Sequence, residues 1–403
     1  MISEEALREI VSAQRNALDS YEPGIPREEI GNINLRLPHA RIISGIRRAG
    51  KSTLLYQLSK RLRDFHYLNF EDPRLLDFGL SDFEKLDELF KSAYGDYEYY
   101  LFDEIQKVEQ WELFVRSRMD QKKKFIITGS NASLLSKELG RSLTGRHVDS
   151  ELFPFSFNEF LMFKNKTAGL QPFKEYLKLG GFAEYLKYGG QEILQQLFSD
   201  VIQRDIVARY KLREPAVLER MAVYLLTNIG RDFSYNSLKG MFNLGSATTV
   251  MSYISYLEDS YLLFSVPRFS FSMKKQLANP KKIYAIDNAL SIANSVSFAS
   301  DSGRMLENLV FLALRRRFKN IFYFSGNGEC DFLIKYKNRM IMAAQVCYNL
   351  NEDNKGREIS GLVEALNATG LDEGIIITYD QEDKLEIEGK TISVVPAWKW
   401  ISK

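Results

Sequence analysis

Short apolar runs alternate with stretches of helical spacing through the first third of the chain. Residues 3–19 place Ala6, Leu7, Ile10, Val11 and Leu18 as the buried stripe of a surface helix. "YEPGIPREEIGNINLRLPHA" follows, and its prolines and glycines mark a linker. "ARIISG" then reads as a short buried strand entering a glycine-containing loop, and "KSTLLYQLSKRL" as a helix. "FHYLNFED", "YEYYLFDEI" and "KKKFIITGSN" read as three further strands. Strands alternating with helices imply an α/β fold with a parallel sheet covered on both faces.

From about residue 155 the pattern becomes mostly helical, in "SFNEFLMF", "PFKEYLKLGGFAEYL" and "EILQQLFSDVIQRDIVARYKLREP". Residues 216–275 read as helix, helix, turn and helix, then a β-ribbon in "YLLFSVPRFSFS". The last hundred residues return to α/β order. The helix "RMLENLVFLALRRRF" is followed by strands "IFYFSG", "ECDFLIKY" and "MIMAAQVCY", a helix over 356–368 and the strand "EGIIITYD".

Composition narrows the class without naming a task. The 403 residues, 45% hydrophobic and 26% charged, suit a folded soluble chain of two to four domains. A net charge of +2 neither demands nor excludes nucleic acid, because only clustering decides. Three scattered histidines (His39, His66, His147) and two isolated cysteines give no zinc pattern and no disulfide framework. No secretory signal and no transmembrane run is expected, and the expected location is cytoplasmic.

The chemistry is concentrated in "GIRRAGKST", residues 45–53. Gly45, Gly50, Lys51 and Ser52 match G-x-x-x-x-G-K-[ST] in full, so Gly45, Ile46, Arg47, Arg48, Ala49, Gly50, Lys51, Ser52 and Thr53 form the candidate phosphate cradle. Glycines let backbone N–H groups turn toward phosphate, and the following helix adds its positive end. Lys51 would bridge the β- and γ-phosphates and Ser52 would hold Mg²⁺. Arg47 and Arg48 are expected to face outward. "YYLFDEI" comes about 55 residues later and supplies a buried strand ending in two acids. Asp103 would hold the Mg²⁺ shell and Glu104 would orient or deprotonate the attacking water. Asn131 at the end of "FIITGSN" is either a contact to the γ-phosphate or water, or a turn cap. In "GRSLTGRH", Arg141 and Arg146 are candidates to stabilise transition-state charge from a neighbouring subunit, or else belong to a solvated basic loop.

Taken together, "GIRRAGKST", "LFDEIQ", "TGSN" and "GRHVDSELFPFSFNEFL" resemble an AAA+-type P-loop ATPase. They resemble the prokaryotic group in which this core is joined to a C-terminal region of uncharacterised function. "DVIQRDIVARYKLREP", "SYLEDSYLLF", "KKIYAIDNAL", "LENLVFLALRRR" and "QVCYNL" are similar to that second half, so the resemblance covers nearly the whole chain. It implies ATP rather than GTP, Mg²⁺, and Arg146 as the arginine finger. An unambiguous sensor-2 arginine and the usual four-helix lid are missing, which leaves a closed ring open as a question.

Two resemblances further along extend the reading. Residues 216–275 resemble a winged helix-turn-helix, with Gly245 in the turn and "SATTVMSYISYLED" as the reader. That helix carries no Lys or Arg and ends in Glu258 and Asp259, so Lys274, Lys275, Lys281 and Lys282 are the candidate contacts to duplex DNA. The alternative is a packing or oligomerisation module. The tail resembles a PD-(D/E)xK nuclease core. Glu307 and Asp331 match its first two positions, while Gln345 replaces the second acid and Cys347 the lysine. A neutral amide and a thiol that is ordinarily neutral at pH 7 supply no fixed charge, so a retained fold without cleavage is expected.

The expected segments are an N-terminal helix and linker (1–34), an AAA+-like core (35–165), a helical connector (166–215), a winged-helix-like module (216–300) and a degenerate nuclease-like α/β domain (301–403). Three function classes follow. The first is an ATPase whose nucleotide state controls appended modules in association with DNA. The second is a nucleotide-controlled scaffold that engages a protein partner, with self-association to a homo-oligomer open. The third is a metal-dependent nuclease.

Overall fold

The computed structural model describes residues 2–130, 145–297 and 301–402. They fall into two compact units, Met1–Phe153 and Pro154–Lys403.

The first unit is built on a five-stranded, all-parallel sheet. Its strands are β1 (Ala40–Ser44), β2 (Phe65–Asn69), β3 (Tyr99–Asp103), β4 (Lys124–Gly129) and β5 (His147–Glu151), in the order β2-β3-β4-β1-β5. Alternate residues enter opposite layers, as the pleat requires. Ile42, Tyr100, Phe102, Phe125 and Ile127 pack with the helices α1 (Glu4–Asp19), α3 (Asp82–Tyr94) and α4 (Trp111–Asp120). Ile43, Leu101 and Ile126 face α2 (Lys51–Ser59) through Leu54, Leu55 and Leu58. The first helix belongs to this unit's core, through Leu7, Ile10 and Val11.

The four expected strands are present, and β5 is an addition. Its residues, "HVDSE", carry no apolar run because the strand lies at the sheet edge and is mostly half-buried. Its register against β1 is close. Ser44 O accepts from the Leu152 N–H at 2.7 Å, and a Cβ on Gly45 would lie 2.1 Å from Leu152 O. The first glycine of the loop is therefore required by strand packing as well as by the turn.

The second unit begins with helices. It contains a three-stranded antiparallel sheet, β6 (Asp232–Phe233), β8 (Lys281–Ala285) and β7 (Leu263–Pro267), in that spatial order. It also contains a six-stranded mixed sheet ordered β13-β14-β12-β11-β10-β9. Those strands are β9 (Ile321–Ser325), β10 (Glu329–Tyr336), β11 (Arg339–Cys347), β12 (Glu373–Thr378), β13 (Asp383–Ile387) and β14 (Lys390–Pro396). Helix Glu352–Thr369 covers one face through Leu362 and Leu366 against Leu333 and Ile376. Helix Ser302–Arg317 packs on the other, its Phe311 ring 6.4 Å from Phe332.

Within residues 216–285, Ser234 and Ser246 cap the helices Tyr235–Met241 and Ala247–Asp259. Gly245 lies between them, and the residue in the left-handed conformation there is Asn243, with φ of 50°. Asparagine tolerates that conformation through its short polar side chain. Of the ribbon expected within 261–272, only β7 is a strand; its partner is β8, and the connection between them contains the short helix Met273–Ala278.

Candidate functional site

The loop between β1 and α2 closes on two left-handed residues, Arg48 with φ of 63° and Gly50 with φ of 93°. Gly50 caps α2 and has no side chain to satisfy the helix's first N–H groups. Those donors are what an anion at a helix N-terminus uses. Lys51 is buried. Its Nζ donates to Gly45 O at 3.1 Å and Ile46 O at 3.4 Å, and lies 3.5 Å from Glu104 Oε1. Arg48 is exposed, and Arg47 reaches Glu71 at 3.3 Å.

Parallel pairing brings the end of β3 beside the loop, with β4 between β3 and β1. Asp103 is buried; its Oδ1 accepts from the Thr128 hydroxyl, and Ser52 also donates to the carboxylate. Its Oδ2 is buried with no hydrogen-bond partner among the described residues. Burial, then the Glu104 charge, raises its pKa from 3.8 to about 6. A carboxylate with one open oxygen beside a P-loop serine fits Mg²⁺, which takes one or two protein oxygens and keeps several waters. Glu104 sits in the left-handed region, at φ of 52°. Its N–H donates to Thr128 Oγ1 at 3.0 Å, and Gln106 Nε2 donates to its Oε2 at 2.5 Å. Burial works against its ionisation, but the Lys51 ammonium, the Gln106 amide and Arg47 outweigh it and hold the carboxyl below its ordinary range. Non-glycine residues in that backbone region cost free energy and concentrate at functional sites.

The other candidates of this unit are placed differently. Asn131 and Arg141 lie outside the described residues. Arg146 precedes β5, its carbonyl accepting from the Ala40 N–H at 3.0 Å and its guanidinium pairing with Asp120 at 2.5 Å. It therefore stands at the start of β1, about 16 Å of strand away from the loop at β1's far end. It cannot reach the nucleotide site of its own chain. Thr128 is a functional residue that the sequence reading missed. Its one signal is a hydroxyl closing the apolar run "FIIT".

The second unit brings Glu307, Asp331 and Gln345 to the wall of one cleft of about 480 Å³. Cys347 does not line that cleft. Its thiol donates to Asn349 O at 3.3 Å and is pushed up by burial, then by the Glu358 charge. Lys282 is the correction here. As a candidate DNA contact it should be exposed, but it is 3% exposed, with Nζ 2.8 Å from Asp331, 3.2 Å from Glu307 and 2.5 Å from Glu329. A buried ammonium held by three carboxylates is unavailable to phosphate. Lys281 is half-buried over the Tyr235 ring, while Lys274 and Lys275 are exposed. Gln345 is also committed. Its Oε1 accepts from the Asp331 N–H at 3.0 Å and its Nε2 donates to Glu358 at 2.6 Å. Among the described residues no group of His, Cys, Asp and Glu is arranged to hold a metal ion, and no helix is long and apolar enough to cross a membrane.

The strand order and the loop define the class, an AAA+-type P-loop ATPase domain. A family model described as "AAA domain" matches residues 38–161, and one described as "Domain of unknown function (DUF8612)" matches residues 170–300. The chain belongs to the family of the uncharacterized protein MJ1544 of Methanocaldococcus jannaschii, with 38% identity over 394 residues, 89% of this chain and 87% of that protein. An uncharacterized protein of Haemophilus influenzae is 29% identical over 379 residues, 89% of this chain and 93% of its own length. Among solved structures, AMPPCP-bound DnaA from Aquifex aeolicus is 15% identical, covering 62% of this chain and 88% of that chain at a TM-score of 0.28. A STAND protein with a tetratricopeptide repeat sensor from Pyrococcus horikoshii is 13% identical, covering 74% and 46%, at 0.29. Scores this low leave the fold to rest on the strands themselves.

Two stability predictions follow from the charges. With the Asp103 pKa raised in the folded chain, keeping the carboxyl ionised costs the native state free energy above about pH 6, and the cost fades as pH falls toward 3.8. Asp103→Asn should therefore raise the melting temperature at pH 8 by an amount corresponding to on the order of 1–3 kcal/mol, with the gain shrinking at pH 5. Thermal melts of both chains at the two pH values check this. Lys282→Met should cost ~3–5 kcal/mol, because Glu307 and Asp331 lose their cation. Adding Glu307→Gln to that variant should recover part of the loss, which a double-mutant cycle in urea measures.

Proposed function

We propose that this chain binds ATP with Mg²⁺ and hydrolyses it, and that nucleotide state controls the region 154–403. The observation that carries the reading is the buried Asp103, with one oxygen open beside Ser52 and the Lys51–Glu104 pair. When bound, Mg²⁺ supplies neutralising charge to the β- and γ-phosphate oxygens, and Asp103 and Ser52 are the residues that would hold it. The loop N–H groups at the start of α2 bind the phosphates. Lys51 exchanges the carbonyls of Gly45 and Ile46 and the Glu104 carboxylate for phosphate oxygens. Glu104, kept ionised until then, is left to accept a proton from the attacking water. Thr128 holds both acids in register. Arg146, 55% exposed in its side chain and away from its own chain's loop, would act on a second copy, which makes a homo-oligomer part of this reading.

For the second unit we read residues 216–300 as winged-helix-like and 301–403 as a nuclease-like domain that no longer cuts. Duplex DNA is the favoured partner, and a protein is the alternative. Two observations favour DNA. Glu258 is drawn inward by the N–H and hydroxyl of Ser265, and Asp259 accepts from Tyr210 at 3.0 Å, so the acidic end of helix Ala247–Asp259 is tied internally. The exposed Lys274 and Lys275 adjoin Phe271 and Met273, which are 87% and 74% exposed, giving a basic tip with apolar flanks.

Steady-state ATP hydrolysis with Glu104→Gln as the blank tests both parts. The variant should lose at least ~100-fold in turnover while still binding ATP. Duplex DNA should stimulate the wild type, less so at higher salt, and Lys274→Ala/Lys275→Ala should blunt the effect. Turnover indifferent to DNA at either salt would move the reading to a protein partner.

A further inference from the structure

The segment between α1 and β1 reads from sequence as a linker, yet it contains a buried arginine. Arg27 is 3% exposed. Its Nη1 donates to Ala49 O at 2.6 Å, and its Nη2 donates to Phe153 O at 2.7 Å. The segment is fastened along α2. The Arg27 N–H donates to Gln57 Oε1 at 3.1 Å, and Gln57 Nε2 donates to the carbonyls of Pro23 at 2.6 Å and Ile25 at 2.7 Å. The guanidinium is packed so close to Gly50 that a Cβ there would lie 2.9 Å from Nη1.

We propose that Arg27 is the positioning residue of the phosphate loop and couples nucleotide occupancy to the point where the chain leaves the first unit. The proposal rests on the ATP-binding reading above and adds a residue to it. In a trans peptide the C=O and N–H point to opposite sides. Holding Ala49 O therefore fixes the direction of the Gly50 N–H, one of the donors that a phosphate loop turns toward its anion. Gly50, in the left-handed region and without a Cβ, has little local restraint of its own. The same guanidinium holds Phe153 O, the carbonyl of the last residue of the unit. A shift of the 49–50 peptide when phosphate arrives is thereby felt at 153 through one rigid, planar side chain. A lysine could not do this, since a single ammonium lacks the two-pronged fork.

The test uses the full chain and a fluorescent ATP analogue. Arg27→Ala should weaken binding ~10-fold, as loss of a charge-assisted hydrogen bond implies, and raise KM likewise while kcat at saturation changes less than about threefold. Guanidinium chloride at millimolar concentration should restore part of the affinity. Arg27→Lys should fall between, and it decides the matter if the alanine variant does not fold. Gln57→Ala, which loosens the same segment without touching the loop, should bind within about twofold of wild type. In hydrogen exchange, ATP should slow the amides of 150–155 in the wild type and not in Arg27→Lys. Wild-type affinity in folded Arg27→Ala, or an equal loss in Gln57→Ala, would overturn the proposal while leaving the nucleotide reading intact. A wild type that binds no nucleotide would refute that reading, and this one with it.

Discussion

Two adjacent carboxylates at the end of one buried strand set the terms for the first unit. Asp103 and Glu104 leave β3 together, and the apolar sheet around them offers no solvent to screen their repulsion. Both cannot be ionised there without a cation, and Lys51, 3.5 Å from Glu104, supplies the nearest charge, with Arg47 adding to it. The result is an asymmetric pair. Glu104 is held below its ordinary range by the ammonium, and Asp103 is raised to about 6 by burial beside that charge. In the reading proposed above, Glu104 becomes the stronger base only when Lys51 turns to phosphate, and Asp103, left poorly compensated, is the acid that would take a divalent ion.

The second unit uses a buried lysine differently. Lys282 also neutralises paired acids, Glu307 and Asp331, and Glu307 is raised to about 7 by burial and by Asp331. Lys51, however, stands at a helix N-terminus among carbonyl acceptors that a phosphate oxygen can replace. Lys282 lies on the strand β8 with three carboxylates around it, and Tyr284 on the same strand donates to Glu307 at 2.6 Å. Its charge is shared by three carboxylates, so the ammonium is engaged within the cleft wall and is not free to meet a phosphate. In the reading proposed above, that is a physical reason for a nuclease-like domain without cleavage. It is a stronger reason than the replacement of the second acid by Gln345 alone, because Gln345 is itself bonded on both sides.

How much of this could be read from the chain follows the range of each interaction. The loop was legible because its chemistry is local. Glycines, a lysine and a serine at fixed spacing determine backbone direction and charge within one turn. The strands β1 to β4 were legible because they are buried on both faces and therefore apolar throughout. The edge strand β5 was not, since an edge needs no apolar run and "HVDSE" gives no period to find. Glu307, Asp331 and Gln345 were readable as a set. The residue that completes them, Lys282, lies 25 positions before Glu307, in a run of lysines whose plain reading is exposure. The placing of β8 between β6 and β7 fixes the face it points to.

Arg27 marks the sharpest limit of sequence reading. "PGIPREEIG" has the composition of a linker, and an arginine within it reads as solvated charge. Burying that charge is costly unless its donors are met. Two of its acceptors are backbone carbonyls at positions that no local pattern connects, 22 and 126 residues away. The phosphate loop is a place where an added positive potential is useful, since its ligand is polyanionic. The guanidinium that holds Ala49 O stands beside that loop. The same logic explains why Asp103 keeps an open oxygen at the cost of a raised pKa. That raised pKa is a penalty in the folded chain that a bound magnesium ion would relieve, and in the reading proposed above the strap, the loop and the acid pair serve one ligand.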